Sequence, residues 1–221
     1  DTIKQTKPHV EFGISPFSVW RNQDKDPQGS PTRAGQTNYD DLYADIRKWL
    51  KEGWIDYVVP QIYFHIGFDL VDYEKTLNWW HQNTYGKKLY IGMAAHRIGS
   101  DRNPDWQQPD QMPRQLRLNH AYPKVEGVIY FSAKQVLKNP LGFGDSLRTG
   151  FYRDPALWPL RSGAASNTLP APILKKVRRH DQGIHLSWEW PRNPTGLSHV
   201  VVYRFPKGMN ADTETSGAIH R

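Results

Sequence analysis

Polar and aromatic residues gather where four apolar runs of the chain stop. Ser15, Trp20, Arg21 and Asn22 close the run at residues 10–22. Gln61, Tyr63 and His65 fall at every second position at the end of residues 55–64. His96 and Arg97 end residues 88–98, and Tyr130, Ser132 and Lys134 alternate from the end of residues 126–132 onward. Amides and hydroxyls of this kind exchange hydrogen bonds with a polar ligand, rings offer flat faces, and the cations suit an acidic group. Trp20, Arg21 and Asn22 have a second reading, a loop closure in which Trp20 packs and Arg21 is solvated. A lone histidine, likewise, is more often a hydrogen-bonded structural residue than a catalyst.

These side chains share a place only if the runs are neighbouring strands. Residues 10–22 alternate apolar (Val10, Phe12, Ile14) with small or polar positions. Residues 55–64 place Tyr57, Val59, Gln61, Tyr63 and His65 on one face and Val58, Ile62 and Phe64 on the other. Bulk on both faces fits a strand covered on both sides, and Pro60 marks an irregular tip. Residues 88–98 and 126–132 read the same way.

Between the strands lie helix patterns. Residues 38–52 carry Leu42, Ile46, Trp49 and Leu50 at helical spacing, with Thr37 or Asn38 as cap and Gly53 as stop. Residues 70–85 carry Leu70, Tyr73, Leu77 and Trp80, with Asp69 or Asp72 as cap. Trp79 and Trp80 are adjacent, so one is expected to face the core and the other to lie partly outside. A helix from Asp110 to about Tyr122 and a short one over 144–152 complete the series. This βα alternation implies a parallel sheet with helices outside. In such sheets ligands sit beyond the C-terminal strand ends. Residues 23–36 (QDKDPQGSPTRAGQ) exceed the usual βα connection and form a candidate substrate wall.

The whole chain excludes several classes. It has 221 residues, 38% hydrophobic and 23% charged, which fits a folded globular chain. No apolar run approaches the roughly 18 residues of a membrane span. There is no cysteine, so disulfides and thiolate metal sites are out. No GxGxxG or P-loop appears, and no cofactor or metal is expected. The net charge of +7 is scattered, with KK or RR pairs only at 87–88, 175–176 and 178–179, so a basic solvated surface is favoured over a nucleic-acid patch. An anionic glycan or cell-wall partner stays compatible with it. Nine tryptophans and eleven tyrosines suit sugar stacking and a large core equally, and most fall at core positions.

After Trp158 the pattern changes. Residues 161–172 (RSGAASNTLPAP) read as a linker. Residues 184–190 alternate strictly, with Ile184, Leu186, Trp188 and Trp190 on one face, and 199–205 form a further strand. Asp181, Gln182 and Gly183 supply the turn before the first strand. A proline-rich entry, a strand with a buried tryptophan and a strand ending Val-Tyr-Arg resemble the start of a fibronectin type III module, too short here to be complete.

Four segments carry a resemblance to a known family: FGISPFSVWRN at 12–22, YDDLYADIRKWLKEGWIDYVVPQIYF at 39–64, LYIGMAAHRI at 89–98 and GVIYFSA at 127–133. Together they resemble the bacterial glycosyl-hydrolase-like family 10, (β/α)8-barrel proteins often followed by a fibronectin-like domain. The resemblance implies the C-terminal half of a (β/α)8 TIM-type barrel at 1–160, the linker at 161–172 and a partial all-β fibronectin type III-like sandwich at 173–221. It implies hydrolysis of O-glycosidic bonds in a polysaccharide, with some members acting on peptidoglycan strands. The implied location is the bacterial cell envelope or the exterior, and the implied partner is the missing N-terminal barrel half or a second copy.

Glycoside hydrolysis normally needs two carboxylates flanking the scissile bond. None stands at the four strand tips: Glu11, Asp56 and Glu126 sit at the opposite ends, and Asp24 and Asp26 lie in a loop. The catalytic acids are therefore expected on strands outside this sequence. What remains is binding. Trp20 or Tyr63 would stack on a sugar, Arg21, Asn22 and Gln61 would bond hydroxyls, and Arg97 or Lys134 would meet an acidic substituent. A noncatalytic glycan-binding protein and an adhesion or scaffolding module are the alternatives.

Overall fold

Leu89, Ile91 and Met93 alternate along one strand and all three are fully buried on the same side. The intervening Lys88 and Tyr90 are only half-buried on the other side. That asymmetry organises the first of two units. The computed structural model describes residues 2–153, 172–191, 202–205, 207–208 and 219–220. The chain divides into one unit within residues 1–153 and another within 154–221.

The first unit is a parallel four-stranded sheet in chain order: β1 (Gly13–Ile14), β2 (Tyr57–Val58), β3 (Lys88–Met93) and β4 (Val125–Tyr130). Before β1 comes α1 (Thr2–Thr6), and the crossovers carry α2 (Ile46–Lys51), α3 (Tyr73–Gln82) and α4 (Gln111–Ala121). After β4 follow α5 (Ala133–Lys138), α6 (Phe143–Ser146) and one wider helical turn at Leu147–Phe151. β1 and β2 are far shorter than the apolar runs predict. Pro16 and Pro60 interrupt them, but pairing resumes beyond: Gln61 bridges to both Phe17 and Gly92. The backbone N–H groups of Gln61 and Gly92 donate to Pro16 and Pro60 carbonyls at 2.9 Å, so the proline carbonyls still serve the ladder.

The helices cover the side of the sheet carrying Ile14, Val58, Leu89, Ile91, Met93, Val128 and Tyr130. Each fully buried Leu or Ile in that layer contributes about 1.5–3 kcal/mol. Trp80 and Tyr73 from α3 and Leu116 from α4 fill it with no exposed surface. Their polar atoms are satisfied: Trp80 Nε1 donates to the Ser18 carbonyl at 2.6 Å, and the Tyr73 hydroxyl donates to Asn119 Oδ1 at 3.0 Å. Trp79 is buried as well, against the expectation that one of the adjacent pair lies partly outside. Its ring stacks on Trp20 at 5.9 Å.

The opposite side of the sheet has another character. Lys88 Nζ meets Glu11 at 2.7 Å, and the rings of Tyr57 and Tyr90 cross edge-on at 5.8 Å. A side chain at Gly13 would overlap the Tyr57 ring, which is why the position is bare. Ile129 is 51% exposed there. Asp56 accepts from the Phe12 N–H and pairs with Lys4, both at the N-terminal end of the sheet, as its place in the sequence predicts.

Two helices are shorter than their periodicity. α2 starts at Ile46 rather than 38, because the polar residues before it bond elsewhere. Asn38 donates to the Phe17 and Val19 carbonyls, Asp41 accepts from the Thr37 N–H, and Tyr43 takes a left-handed φ of 52°. Asp45, not Thr37 or Asn38, caps the helix by accepting from the Lys48 N–H at 3.1 Å. Leu42 is consequently exposed. α3 begins after Asp72, which accepts from the Lys75 N–H, so Leu70 lies outside it and exposed.

In the second unit, β5 (Ile173–His180) and β6 (Gly183–Glu189) form an antiparallel hairpin, and β7 (Val202–Tyr203) pairs with β8 (Ile219–His220). β5, with Lys175, Lys176, Arg178 and Arg179, is a strand that the sequence pattern does not announce. The linker at 161–171 and the start of the strand predicted at 199–205 lie outside the described residues.

Candidate functional site

A cleft of about 410 Å³ opens beyond the C-terminal ends of β1 and β2. Phe17, Ser18 and Gln61 come from the strand ends, Tyr63 and Phe64 from the turn after β2, and Arg97 from the turn after β3. The wall opposite is residues 33–36, the end of the long polar loop, where the sequence places a candidate wall. Three bonds hold it: the Arg33 N–H donates to the Leu70 carbonyl at 2.7 Å, and Asn22 brackets Ala34, donating to its carbonyl and accepting from its N–H.

Gln61 is fixed by its own strand neighbour. Its Nε2 donates to the Ser15 carbonyl at 3.0 Å, and among the described residues its Oε1 takes no bond. Ser15 in turn donates to the Val59 carbonyl. Arg97 pairs with Asp101 at 3.1 Å and lies 5.8 Å from the Trp106 ring, keeping a cation at the cleft edge.

Next to Gln61 stands an aromatic corner. The Tyr63 ring meets the His96 ring edge-on at 5.4 Å, and His96 meets Phe131 edge-on at 5.3 Å. Tyr63 and Phe131 lie nearly parallel, 6.2 Å apart. The His96 N–H donates to the Phe131 carbonyl at 2.8 Å, which ties the turn after β3 to the end of β4. Burial pushes the Tyr63 hydroxyl above its ordinary pKa, so it stays a hydrogen-bond donor at neutral pH. Phe131 is 56% exposed and Phe17 42%. Apolar rings held open beside a glutamine and an arginine bind a ligand with one flat apolar face and a hydroxylated edge.

Several residues named from the sequence stand elsewhere. Trp20 is only 4% exposed; it packs on Trp79, and its Nε1 donates to Asp45 at 3.1 Å. It is a core residue, because the strand ends before it and the chain turns inward. Arg21 is held by Asp40 at 2.8 Å and Asp26 at 3.1 Å, and Asn22 spends its amide on the loop. Tyr130 faces the helices, with its ring on Phe143 and its hydroxyl bonded to Tyr152 at 2.8 Å. The register pairs it with Met93, a core residue, so Ile129 and Phe131 take the open side instead. Ser132 precedes α5 and Lys134 is exposed on it. His65 is buried; its Nδ1 lies 3.0 Å from the Ile66 carbonyl, and its Nε2 lies 3.1 Å from Asn103 Nδ2. Asn103 Oδ1 accepts from the Asp105 N–H, which turns Nδ2 toward His65 and puts the imidazole proton on Nδ1.

Phe17 and Phe131 are the residues missed from the sequence. The alternation at 126–132 was visible, but its phase was not: the pairing of Tyr130 with the buried Met93 sets it. Among the described residues no carboxylate lines the cleft.

Residues 1–108 match the family model described as glycosyl hydrolase-like 10. The chain is 47% identical over 184 residues to the glycosyl hydrolase YngK of Bacillus subtilis (strain 168), covering 82% of this chain and 36% of that protein. It is 43% identical over 137 residues to the glycosyl hydrolase DigH of Escherichia coli (strain K12), covering 59% of this chain and 31% of that protein. The chain thus spans about a third of the length of these curated relatives. Among the described residues no helix is long and apolar enough to cross a membrane.

Proposed function

We propose that this chain is part of a glycoside hydrolase and supplies the sugar-holding side of its active-site cleft. The observation that carries the reading is the combination of the glycosyl hydrolase-like match with the cleft beyond β1 and β2. The parallel sheet, covered by helices on one side and polar or open on the other, is compatible with part of a barrel. We read it as the C-terminal half of a (β/α)8 barrel whose remaining strands bring the catalytic carboxylates. Tyr63 and Phe131 take the apolar face of a pyranose, Gln61 bonds its hydroxyls, and Arg97 receives an acidic substituent. Peptidoglycan strands are the substrate we favour, and the cell envelope or exterior the location. The second unit we read as fibronectin type III-like.

A second reading, a glycan-binding protein without hydrolysis, is favoured by one observation: no carboxylate lines the described cleft. The two separate in one experiment. In a protein of the relatives' length containing this sequence, Gln61→Ala and Phe131→Ala are expected to lower kcat/KM for glycan hydrolysis. Release of no reducing ends, with glycan binding intact, would favour the binding protein. Unchanged kcat/KM in both variants would remove the cleft from the account.

A further inference from the structure

On the far side of the polar loop lies a second groove, of about 560 Å³, between residues 23–31 and the outer face of α2 and α3. It is unlike the cleft. Its chemistry comes from amides and two cations: Arg47 from α2 and Lys75, Asn78, Gln82 and Asn83 from α3 and its end.

Among the described residues the Arg47 guanidinium reaches only neutral acceptors: Gln28 Oε1 at 2.6 Å, the Tyr85 hydroxyl at 2.6 Å and Asn83 Oδ1 at 3.2 Å. Its flat face lies 4.8 Å from the Trp20 ring, so the charge is half-buried on an aromatic floor. Asp26, whose field reaches Arg47, bonds Arg21 instead. Among the described residues neither Arg47 nor Lys75 pairs with a carboxylate. A guanidinium held in place by neutral partners keeps its attraction for an outside anion.

The amides beside it are oriented. Asn83 Nδ2 donates to the Trp79 carbonyl at 2.8 Å, which turns its Oδ1 toward Arg47. Gln82 Nε2 donates to Asn78 Oδ1 at 3.3 Å. Among the described residues Asn78 Nδ2 and Gln82 Oε1 take no other bond, which leaves an amide donor and an amide acceptor on neighbouring, exposed residues of α3, with Lys75 one turn before. A donor beside an acceptor matches a pair of neighbouring sugar hydroxyls. The loop wall is anchored by Trp79 Nε1, which donates to the Gln28 carbonyl at 3.0 Å.

We infer that this groove is a second carbohydrate site, distinct from the cleft, that takes a carboxylate-bearing oligosaccharide. The carboxylate sits against Arg47 and Lys75, and the hydroxyls against Asn78 and Gln82. The inference goes beyond hydrolysis, and binding is read without turnover. Tetragalacturonate is titrated calorimetrically into the full-length protein, with cellotetraose and inorganic phosphate as comparison probes. Tetragalacturonate is expected to bind, more weakly as salt rises. Lys75→Gln and Asn78→Ala, both at exposed positions, are each expected to weaken it at least fivefold when measured in a Phe131→Ala background, in which sugar binding at the cleft is itself weakened. Arg47→Lys keeps the charge but loses the fork and is expected to weaken it as well. No binding, binding indifferent to Lys75→Gln and Asn78→Ala, equal binding of cellotetraose, or full displacement by phosphate would each overturn the inference. A protein silent in hydrolysis whose groove still binds would count against the hydrolase reading alone.

Discussion

Phe131 and Trp20 exchange the roles that their residue types suggest. Trp20 belongs to the core, so Trp20→Ala is expected to lower stability by about 3–5 kcal/mol in urea unfolding, as for other buried aromatics. Where the variant still folds, glycan binding should be intact. Phe131, exposed beside the cleft residue Tyr63, should behave the other way: Phe131→Ala leaves the unfolding midpoint within about 0.5 kcal/mol and weakens sugar binding by about 1 kcal/mol, roughly fivefold. Phe131→Tyr should restore most of that. Much of the site was legible at this scale. Gln61, Tyr63, His96 and Arg97 were visible as strand-end residues; the cleft gathers Gln61, Tyr63 and Arg97, and His96 packs on Tyr63 beside it. For Trp20 the packed and the ligand-facing readings both stood, and the packed one holds because Asn38 and Asp45 pull residues 17–20 inward, bonds between positions far apart in the chain.

Among the elements, helices were legible where the apolar stripe was deep and were overread where polar residues had competing partners. α3 lies where Tyr73, Leu77 and Trp80 predict it, and α4 lies within the stretch expected from Asp110 to about Tyr122. The stretch before α2 does not, since Asn38, Asp40 and Asp41 bond backbone and Arg21 rather than starting a helix. Asp72 is expected to be worth about 1 kcal/mol as the α3 cap, so Asp72→Ala should lower the unfolding midpoint accordingly. At the N-terminal end of the sheet, burial alone would raise the Asp56 carboxyl. The bonds from Lys4 and the Phe12 N–H outweigh it and hold the group below the ordinary carboxylate value. A carboxyl lowered in the folded state stabilises above its unfolded pKa, about 3.9, and that stabilisation is lost as pH falls through the lower folded value. Asp56→Asn should therefore flatten the acid limb of stability, measured by urea unfolding between pH 3 and 6. An unchanged acid limb would show that Lys4 and Phe12 do not report on folding.

For the molecule as a whole, βα alternation was enough to foresee a parallel sheet with helices outside; the structure adds that the strands run in chain order. The closure of that sheet was not legible in these residues, and the barrel remains a proposal resting on the family match and on the open side of the sheet. β1 and β4 are its edges here, and Ile129 and Phe131 are exposed beside them. Unpaired edges and apolar faces drive association, so this chain alone is expected to self-associate, and a protein of the relatives' length to run as a monomer in analytical ultracentrifugation. The most direct test of the central claim is reducing-end release from peptidoglycan strands and a panel of polysaccharides. The longer protein, its Gln61→Ala/Phe131→Ala variant and this 221-residue chain are compared. The account predicts release by the longer protein, a loss of at least tenfold in the variant and none from the chain alone. Release by the chain alone would place the catalytic acids within it and contradict the account.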